Sequence, residues 1–596
     1  DCLLSRGLGD VYKRQLSNTP VNGKHEKTYR ADIIISNGIT NSFGGEIMKI
    51  TRLYIKNYKS IKEIDICLSE LVNVFIGENS VGKSNIFAAI DWMLGPVFPS
   101  FNNFSKEDYY RGDTSLHVVI RVYFDDGHYL ELTNYWNYRG YSKSGLNLDG
   151  NQFVTDEIRQ RYVSALIGAD RKVSDNPATN RWTLLGRLLR DINARFMKET
   201  VLDPDTLEDI SKAELFKKEM EKVRNDILFS VKDENGHNLM QWFVSILGEE
   251  TARQLNRAPD DFNVDLNMYD PWNFYRTLQI IVHEAETGMT FRASELGMGV
   301  QASITIAILK AYSKMKLKNQ TPILIDEPEL FLHPQGRRNF YRIIRDLAEN
   351  GTQVLLTTHS SEFIDLDHFD EIFVVRKSKE KGTYIRSAHP QSFVNDFKAR
   401  YGRETTKSDI MERYRNAFEN TGDSQKSSEA MFARKVILVE GESEVLILPY
   451  LFSLCGYDEV AEGVTIVRCG GKSELDRYYR LYSEFGIPAF IIFDGDYQNV
   501  GKDDEDATIA KNRGILRLFN IDDDFPDGAI HENYLGFVYR LEENLGIDGI
   551  GNAKALSLFR RVKKEITSLE KVPCWVVEVI TAIRKLPAEA TSVLAE

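Results

Sequence analysis

Cysteine is scarce: five residues in 596, at positions 2, 67, 455, 469 and 574, with no C-x-x-C pair among them. Scattered and odd in number, they give neither a disulfide framework nor a zinc site, so a reducing, cytoplasmic setting is expected. No run of about 18 apolar residues is present, which leaves no spanning helix and no membrane partner. Positive charge is in deficit, 75 Lys and Arg against 88 Asp and Glu, for a net charge of -13. That argues against a generally basic nucleic-acid binder, while a local basic groove lined by acidic metal ligands stays open. The remaining composition, 42% hydrophobic and 27% charged, is ordinary for a globular chain, and the length calls for about four units of usual domain size.

The most specific stretch is Gly77-Glu78-Asn79-Ser80-Val81-Gly82-Lys83-Ser84, a phosphate loop of the form G-x-x-x-x-G-K-[ST]. It follows an apolar run, Leu71 to Ile76, and opens a segment whose Ile86, Phe87, Ile90 and Leu94 recur at helical spacing. Strand, loop and helix are the context the motif requires. Gly77 and Gly82 let backbone N-H groups face phosphate oxygens, and the helix N-terminus adds its partial charge. Lys83 would reach the outer phosphates, Ser84 would ligate magnesium, and Asn79 and Asn85 join the expected ATP contacts.

Residues 1-47 lack sustained periodicity, and their first fifteen resemble translated sequencing-adapter sequence, so they are left out of the fold reading and Met48 is the expected start. Two alternating runs between Ile50 and Leu68 precede the strand of the phosphate loop, and Leu116-Phe124 with Leu130-Leu132 read as a hairpin. From 150 to 270 the pattern is helical and charged, the expected place for a dimerising insertion.

The first unit resumes at 271. Glycines at 297 and 299, with Gln301, open an apolar helix where phosphate could again bind. Pro322 to Ile325 is an apolar strand ending in Asp326 and Glu327; the first can hold magnesium and the second can orient or deprotonate an attacking water. A further strand, Gln353 to Thr358, ends at His359, positioned to sense the terminal phosphate. Arg337, Arg338, Arg342 and Arg345 could form a basic helix face, with an acid-balanced solvated helix at least as good a reading.

These residues resemble the ATP-binding-cassette ATPases of the SMC and RecF kind. The resemblance implies two nucleotide domains sandwiching ATP, with Gly297 to Gln301 acting on a partner subunit, hence a homodimer or higher oligomer. Gly297-Met298 stands where the family's signature has a serine, which puts fast hydrolysis in question.

A charged stretch, 377-430, reads as a linker with some helix. Beyond it Val436 to Val439 ends in Glu440, with Glu444 one helical turn on, and Ala489 to Phe493 ends in Asp494-Gly495-Asp496. Four carboxylates at the ends of two strands can converge on divalent metal, as phosphodiester cleavage requires. In this order they resemble the Toprim domain of topoisomerases, primases and a group of nucleases. Glu532 could complete a second metal site, and Lys554 could stabilise developing phosphate charge.

An α/β chain with an ABC/SMC-like ATPase (48-149 and 271-376), a helical insertion and a C-terminal Toprim domain (431-596) resembles the OLD (overcoming lysogenisation defect) family, to which the Gabija antiphage nuclease subunit is similar. Membership implies an ATP-regulated endonuclease or nickase acting on double-stranded DNA. The implied cofactors are ATP and Mg2+, with Mn2+ or Ca2+ open at the Toprim site, and the role is antiphage defence or DNA processing with a helicase-like or other defence partner. Two alternatives stand: a repair ATPase whose Toprim fold is an interaction module, and a strand-passage or primer-synthesis enzyme.

Overall fold

The computed structural model describes residues 48-135, 137-142, 153-169, 184-228, 230-255, 271-278, 280-283, 288-314, 321-421, 423-546 and 555-594. Among the described residues eleven strands form one mixed sheet. Its order is Asn137–Tyr141, Tyr129–Thr133, Val119–Phe124, Ile50–Tyr58, Ile61–Cys67, Gly382–Ser387, Ile372–Ser378, Val72–Ile76, Val354–Thr358, Ile323–Asp326, Ala165–Ile167. The first half is antiparallel, whereas Val72–Ile76 pairs in parallel with both its neighbours. All five residues of Val72–Ile76 are buried, as a parallel strand covered on both faces must be. Val72, Val74 and Ile76 enter one core with Phe340 and Ile344 of the Pro334–Glu349 helix. Phe75 enters the other, edge-on to Phe87 of the Lys83–Leu94 helix at 5.8 Å.

The expected boundaries need two corrections. Ala165–Ile167 pairs in parallel with Ile323–Asp326, so part of the 150-270 segment is an edge of the main sheet. Three residues are too short to carry a periodic signal. The segment also holds the helices Leu184–Phe196, Lys212–Val223 and Leu239–Leu255. On the last, Leu239, Trp242, Phe243, Ile246 and Leu247 are all exposed; their spacing puts them on one helix face.

The 377-430 stretch is not a linker. Ile372–Ser378 and Gly382–Ser387 form a hairpin in the main sheet, and three helices follow, Pro390–Tyr401, Lys407–Thr421 and Ser424–Glu429. Phe393, Tyr414 and Phe418 of these helices share one buried core with Phe369 on the ATPase side and with Tyr478, Tyr482 and Ile491 beyond. Polar residues dominate the helices' exposed faces, which is why the composition reads as a connector. The buried pair Arg480–Asp396 at 3.1 Å, extended by Asp476, fastens the joint.

The last unit is a four-stranded parallel sheet, ordered Val464–Arg468, Lys435–Val439, Ala489–Asp494, Tyr534–Phe537. Among the described residues no helix is long and apolar enough to cross a membrane.

Candidate functional site

Two sites emerge, one in each sheet, each at the carboxyl ends of parallel strands, where α/β folds gather ligands. In the first, the phosphate loop turns through left-handed backbone at Ser80 and Gly82. A Cβ at Gly77 would sit 2.2 Å from the Val375 carbonyl oxygen, so the loop packs against the neighbouring strand as only glycine permits. Lys83 is buried, donating to the carbonyls of Gly77 at 2.9 Å and Glu78 at 3.0 Å, with His359 Nε2 also 2.9 Å from its Nζ. Burial pushes the Lys83 ammonium below its ordinary range, against the pull of Glu327, Asp326 and Glu329. Burial, then the Lys83 charge, likewise pushes His359 down, so a neutral imidazole faces the lysine.

Glu327 lies 3.7 Å from His359 on left-handed backbone at φ 48, a strained conformation of the kind found at functional sites. Its N-H donates to Thr357 Oγ1 at 3.0 Å, and that hydroxyl donates to Asp326. Glu329, absent from the expected set although it lies in the same motif, is buried. It accepts from Thr358 Oγ1 at 2.9 Å and the His359 N-H at 2.5 Å, fixing the histidine's position. Ser84 and Asn79 are exposed around the loop, Ser84 in the first turn of the helix. Asn85 Nδ2 donates to Ser60 Oγ at 2.7 Å. Beside them lies a cleft of about 760 Å³ lined by Lys59, Ser60, Asn85, Tyr109, Tyr110 and Arg111 among others, large enough for a nucleoside. Gly297 and Gly299 stand exposed where the Met298–Lys314 helix begins. Gln301 is buried and donates to the Leu296 carbonyl at 2.7 Å, so it braces its own loop.

In the second site the four expected carboxylates lie near enough to act on one another: Glu444 and Asp496 each raise both Glu440 and Asp494. Glu440 follows the Lys435–Val439 strand and accepts the Asp494 N-H at 2.8 Å; Asp494 Oδ1 accepts the Leu541 N-H at 2.9 Å. Glu444 Oε2 accepts the Gly441 N-H at 3.2 Å. Burial lifts Glu440 from 4.5 to about 7, with Glu444 and Asp496 adding to the lift. Burial followed by Glu440 and Glu444 lifts Asp494 well above the carboxylate range. Buried carboxylates that raise one another's proton affinity form an all-oxygen donor set whose repulsion a hard cation would relieve. Among the described residues no group of three or more His, Cys, Asp or Glu side chains is already placed to hold a metal ion. Oxygen donors of this kind are the type a hard divalent cation takes.

Asp496 is placed differently. Its backbone is left-handed at φ 55, and it accepts from Lys472 Nζ at 2.9 Å, Arg540 Nε at 3.0 Å and Gln498 Nε2 at 2.9 Å. Although burial raises its pKa, the Lys472 and Arg540 contacts outweigh it and hold the group low. Asp496 is thus a charged anchor between two cations. Lys472 is buried and reaches Asn512 Oδ1 at 3.0 Å, and Asn512 donates to the Gly495 carbonyl at 2.9 Å. The sequence signal for Lys472 was Gly470-Gly471, both at positive φ, a tight turn after a strand. Glu542, just past the fourth strand, adds to the lift on both Asp494 and Glu444.

Glu532 does not join this site. It is exposed, two residues before the Tyr534–Phe537 strand, and that strand runs parallel to Ala489–Asp494 with Phe537 opposite Asp494. It therefore lies at the far end of the sheet, about 16 Å away at strand rise. Lys554 lies outside the described residues. Two of the four arginines named above are engaged: Arg345 with Glu371 at 2.5 Å, and Arg337 with Glu362 at 3.8 Å.

Residues 48-160 and 151-364 match the AAA ATPase domain family, and residues 431-496 match the overcoming lysogenization defect protein-like TOPRIM domain. The chain is 26% identical over 484 residues to an OLD nuclease of Thermus scotoductus, covering 78% of this chain and 85% of that protein. It is 24% identical over 486 residues to the Old nuclease of Escherichia phage P2, covering 76% and 78%. The SMC head domain from Thermotoga maritima superposes with a TM-score of 0.28 at 18% identity, over 57% of this chain and 99% of that one.

Proposed function

The chain belongs to the AAA ATPase domain family and joins that domain to an OLD-type TOPRIM domain, and on this premise we propose that it is an ATP-binding, metal-dependent DNA endonuclease or nickase. The observation that supports the reading is the clustering of buried Glu440, Glu444 and Asp494, whose raised proton affinity Lys472 and Arg468 offset only in part. A divalent ion bound there would activate water and stabilise the leaving oxygen. The protein's own part is to hold the three carboxylates by backbone N-H bonds and to keep Lys472 and Arg540 beside them through Asp496.

At the other site, Lys83 and the phosphate loop bind the triphosphate of ATP, Ser84 and Asp326 hold its magnesium, and Glu327 with His359 faces the terminal phosphate. Two copies associate through the exposed apolar face of Leu239–Leu255, and the loop from Gly297 to Gln301 completes the partner's nucleotide site. The shared core between ATPase and Toprim sheets supports gating of cleavage by nucleotide state, in antiphage defence or DNA processing. The test is cleavage of supercoiled plasmid in Mg2+ or Mn2+ against EDTA, with and without ATP, by wild type and Lys83→Ala. Cleavage that needs metal and whose ATP response disappears in Lys83→Ala supports the reading; metal-independent cleavage, or none under any condition, rejects it.

A further inference from the structure

Between the two sheets lies a cleft of about 610 Å³ that neither site uses. One wall is the back of the phosphate loop, Gly77, Glu78 and Val81, with Val374 to Ser378 of the adjacent strand; the other is Met431 to Lys435, where the Toprim sheet starts, and Leu586 to Glu589. Four cations line it, Arg376, Lys377, Arg434 and Lys435, against two carboxylates, Glu78 and Glu589. Both carboxylates are engaged: Glu589 accepts from Tyr384 at 3.0 Å and Arg386 at 2.6 Å, and Glu78 accepts from Arg434 at 3.2 Å. Lys435 Nζ is turned to the Ile583 and Arg584 carbonyls at 2.7 and 3.0 Å.

Arg376 has a hydrogen bond unmade. Its Nε is buried and meets no hydrogen-bond partner. Burial lowers its pKa even against the pull of Tyr384, Glu589 and Glu78. A buried polar atom without a partner carries a cost, so the Arg376 guanidinium, drawn toward Glu589 and Glu78, keeps donor capacity to spare at the cleft wall. The rest of the wall is apolar or aromatic, with Val81, Val374, Met431 and Phe432. The volume is that of a small-ligand site, several times what a bare anion needs.

We propose that this interdomain cleft binds a small phosphate monoester with an apolar or aromatic body, of the nucleoside monophosphate class, its phosphate on Arg376 and Arg434 and its body against Phe432 and Met431. A ligand there would compete for Arg434 with Glu78 of the phosphate loop. It would also press on the strand that ends at Glu440, so one occupant touches both sites. The inference stands without the nuclease reading.

The test is titration calorimetry on the full chain carrying Lys83→Ala, which removes the phosphate loop as a competing anion site, with AMP and inorganic phosphate as probes. AMP should bind at one site per chain. Adding Arg376→Gln should weaken it by about 10- to 100-fold, the usual loss for a charged hydrogen bond, and the exposed Arg434→Gln should weaken it also. Thermal melts with and without ligand separate a binding role from a structural one. Arg376→Gln should lose the parent's gain in melting temperature on adding AMP, whatever its own ligand-free midpoint. Loss of AMP binding in Lys83→Ala alone, unchanged affinity in both arginine variants, or phosphate binding as tightly as AMP would overturn the assignment. Should Arg376→Gln fail to fold, Arg434→Gln decides it.

Discussion

Replacing Glu440 by glutamine should stabilise the metal-free protein, the reverse of what removing a buried charged group usually does. Glu440 sits at about 7 in the folded chain against 4.5 in its ordinary state. An acid whose folded pKa is raised binds its proton more tightly when folded, so stability is lost as pH rises from the unfolded value and the full cost is reached above the folded one. At pH 8 that shift corresponds to about 3 kcal/mol. Glutamine keeps the carbonyl oxygen that accepts the Asp494 N-H at 2.8 Å while removing the charge. In EDTA, Glu440→Gln should therefore melt several degrees above wild type at pH 8 and lose that advantage by pH 4.5. Addition of Mg2+ should raise the wild-type midpoint more than the variant's and more at pH 8 than at pH 6, because the ion must displace the proton. A variant that melts lower than wild type at pH 8, or a gain that ignores pH, would refute the claim that burial outweighs the Lys472 and Asp494 N-H contacts of this carboxylate.

Other outcomes follow from the same geometry. Gly77→Ala places a Cβ 2.2 Å from the Val375 carbonyl on backbone at φ +150, so binding of a fluorescent ATP analogue should fall at least about tenfold, as strain at a special backbone position costs over 1 kcal/mol. Arg480→Met removes the 3.1 Å and 2.8 Å contacts to Asp396 and Asp476 and leaves Arg400 as their shared partner; urea unfolding should show a loss of about 1.5–3 kcal/mol, and a loss within error of zero would show that the pair does not fasten the two sheets. Trp242→Glu with Phe243→Glu on the exposed helix face should convert a dimer to a monomer by light scattering, while an unchanged mass would move the interface elsewhere.

The ATPase half was legible because its signals are local: a phosphate loop between an apolar strand and a periodic helix, then two strands ending in Asp326 and His359. The positions of Glu440 and Asp494 at strand ends were legible for the same reason, each standing directly after a run of apolar residues. What the sequence concealed depends on partners distant in the chain. Asp496 reads as a ligand beside Asp494, yet Lys472 and Arg540, 24 and 44 residues away, turn it into an anchor. Glu532 has the residue type of a ligand, but strand direction puts it at the opposite end of the sheet. The 377-430 stretch is charged on the outside and aromatic within; only the packing of Phe393, Tyr414 and Phe418 shows it to be the joint between the sheets.

The most direct test measures ATP hydrolysis and plasmid cleavage on one preparation of Asp494→Asn. This substitution keeps the oxygen that accepts from the Leu541 N-H and removes the charge. The account predicts undiminished hydrolysis of ATP, with nicking and linearisation in Mg2+ or Mn2+ abolished. Cleavage at the wild-type rate would contradict it, because the chemistry would then lie outside the Toprim carboxylates.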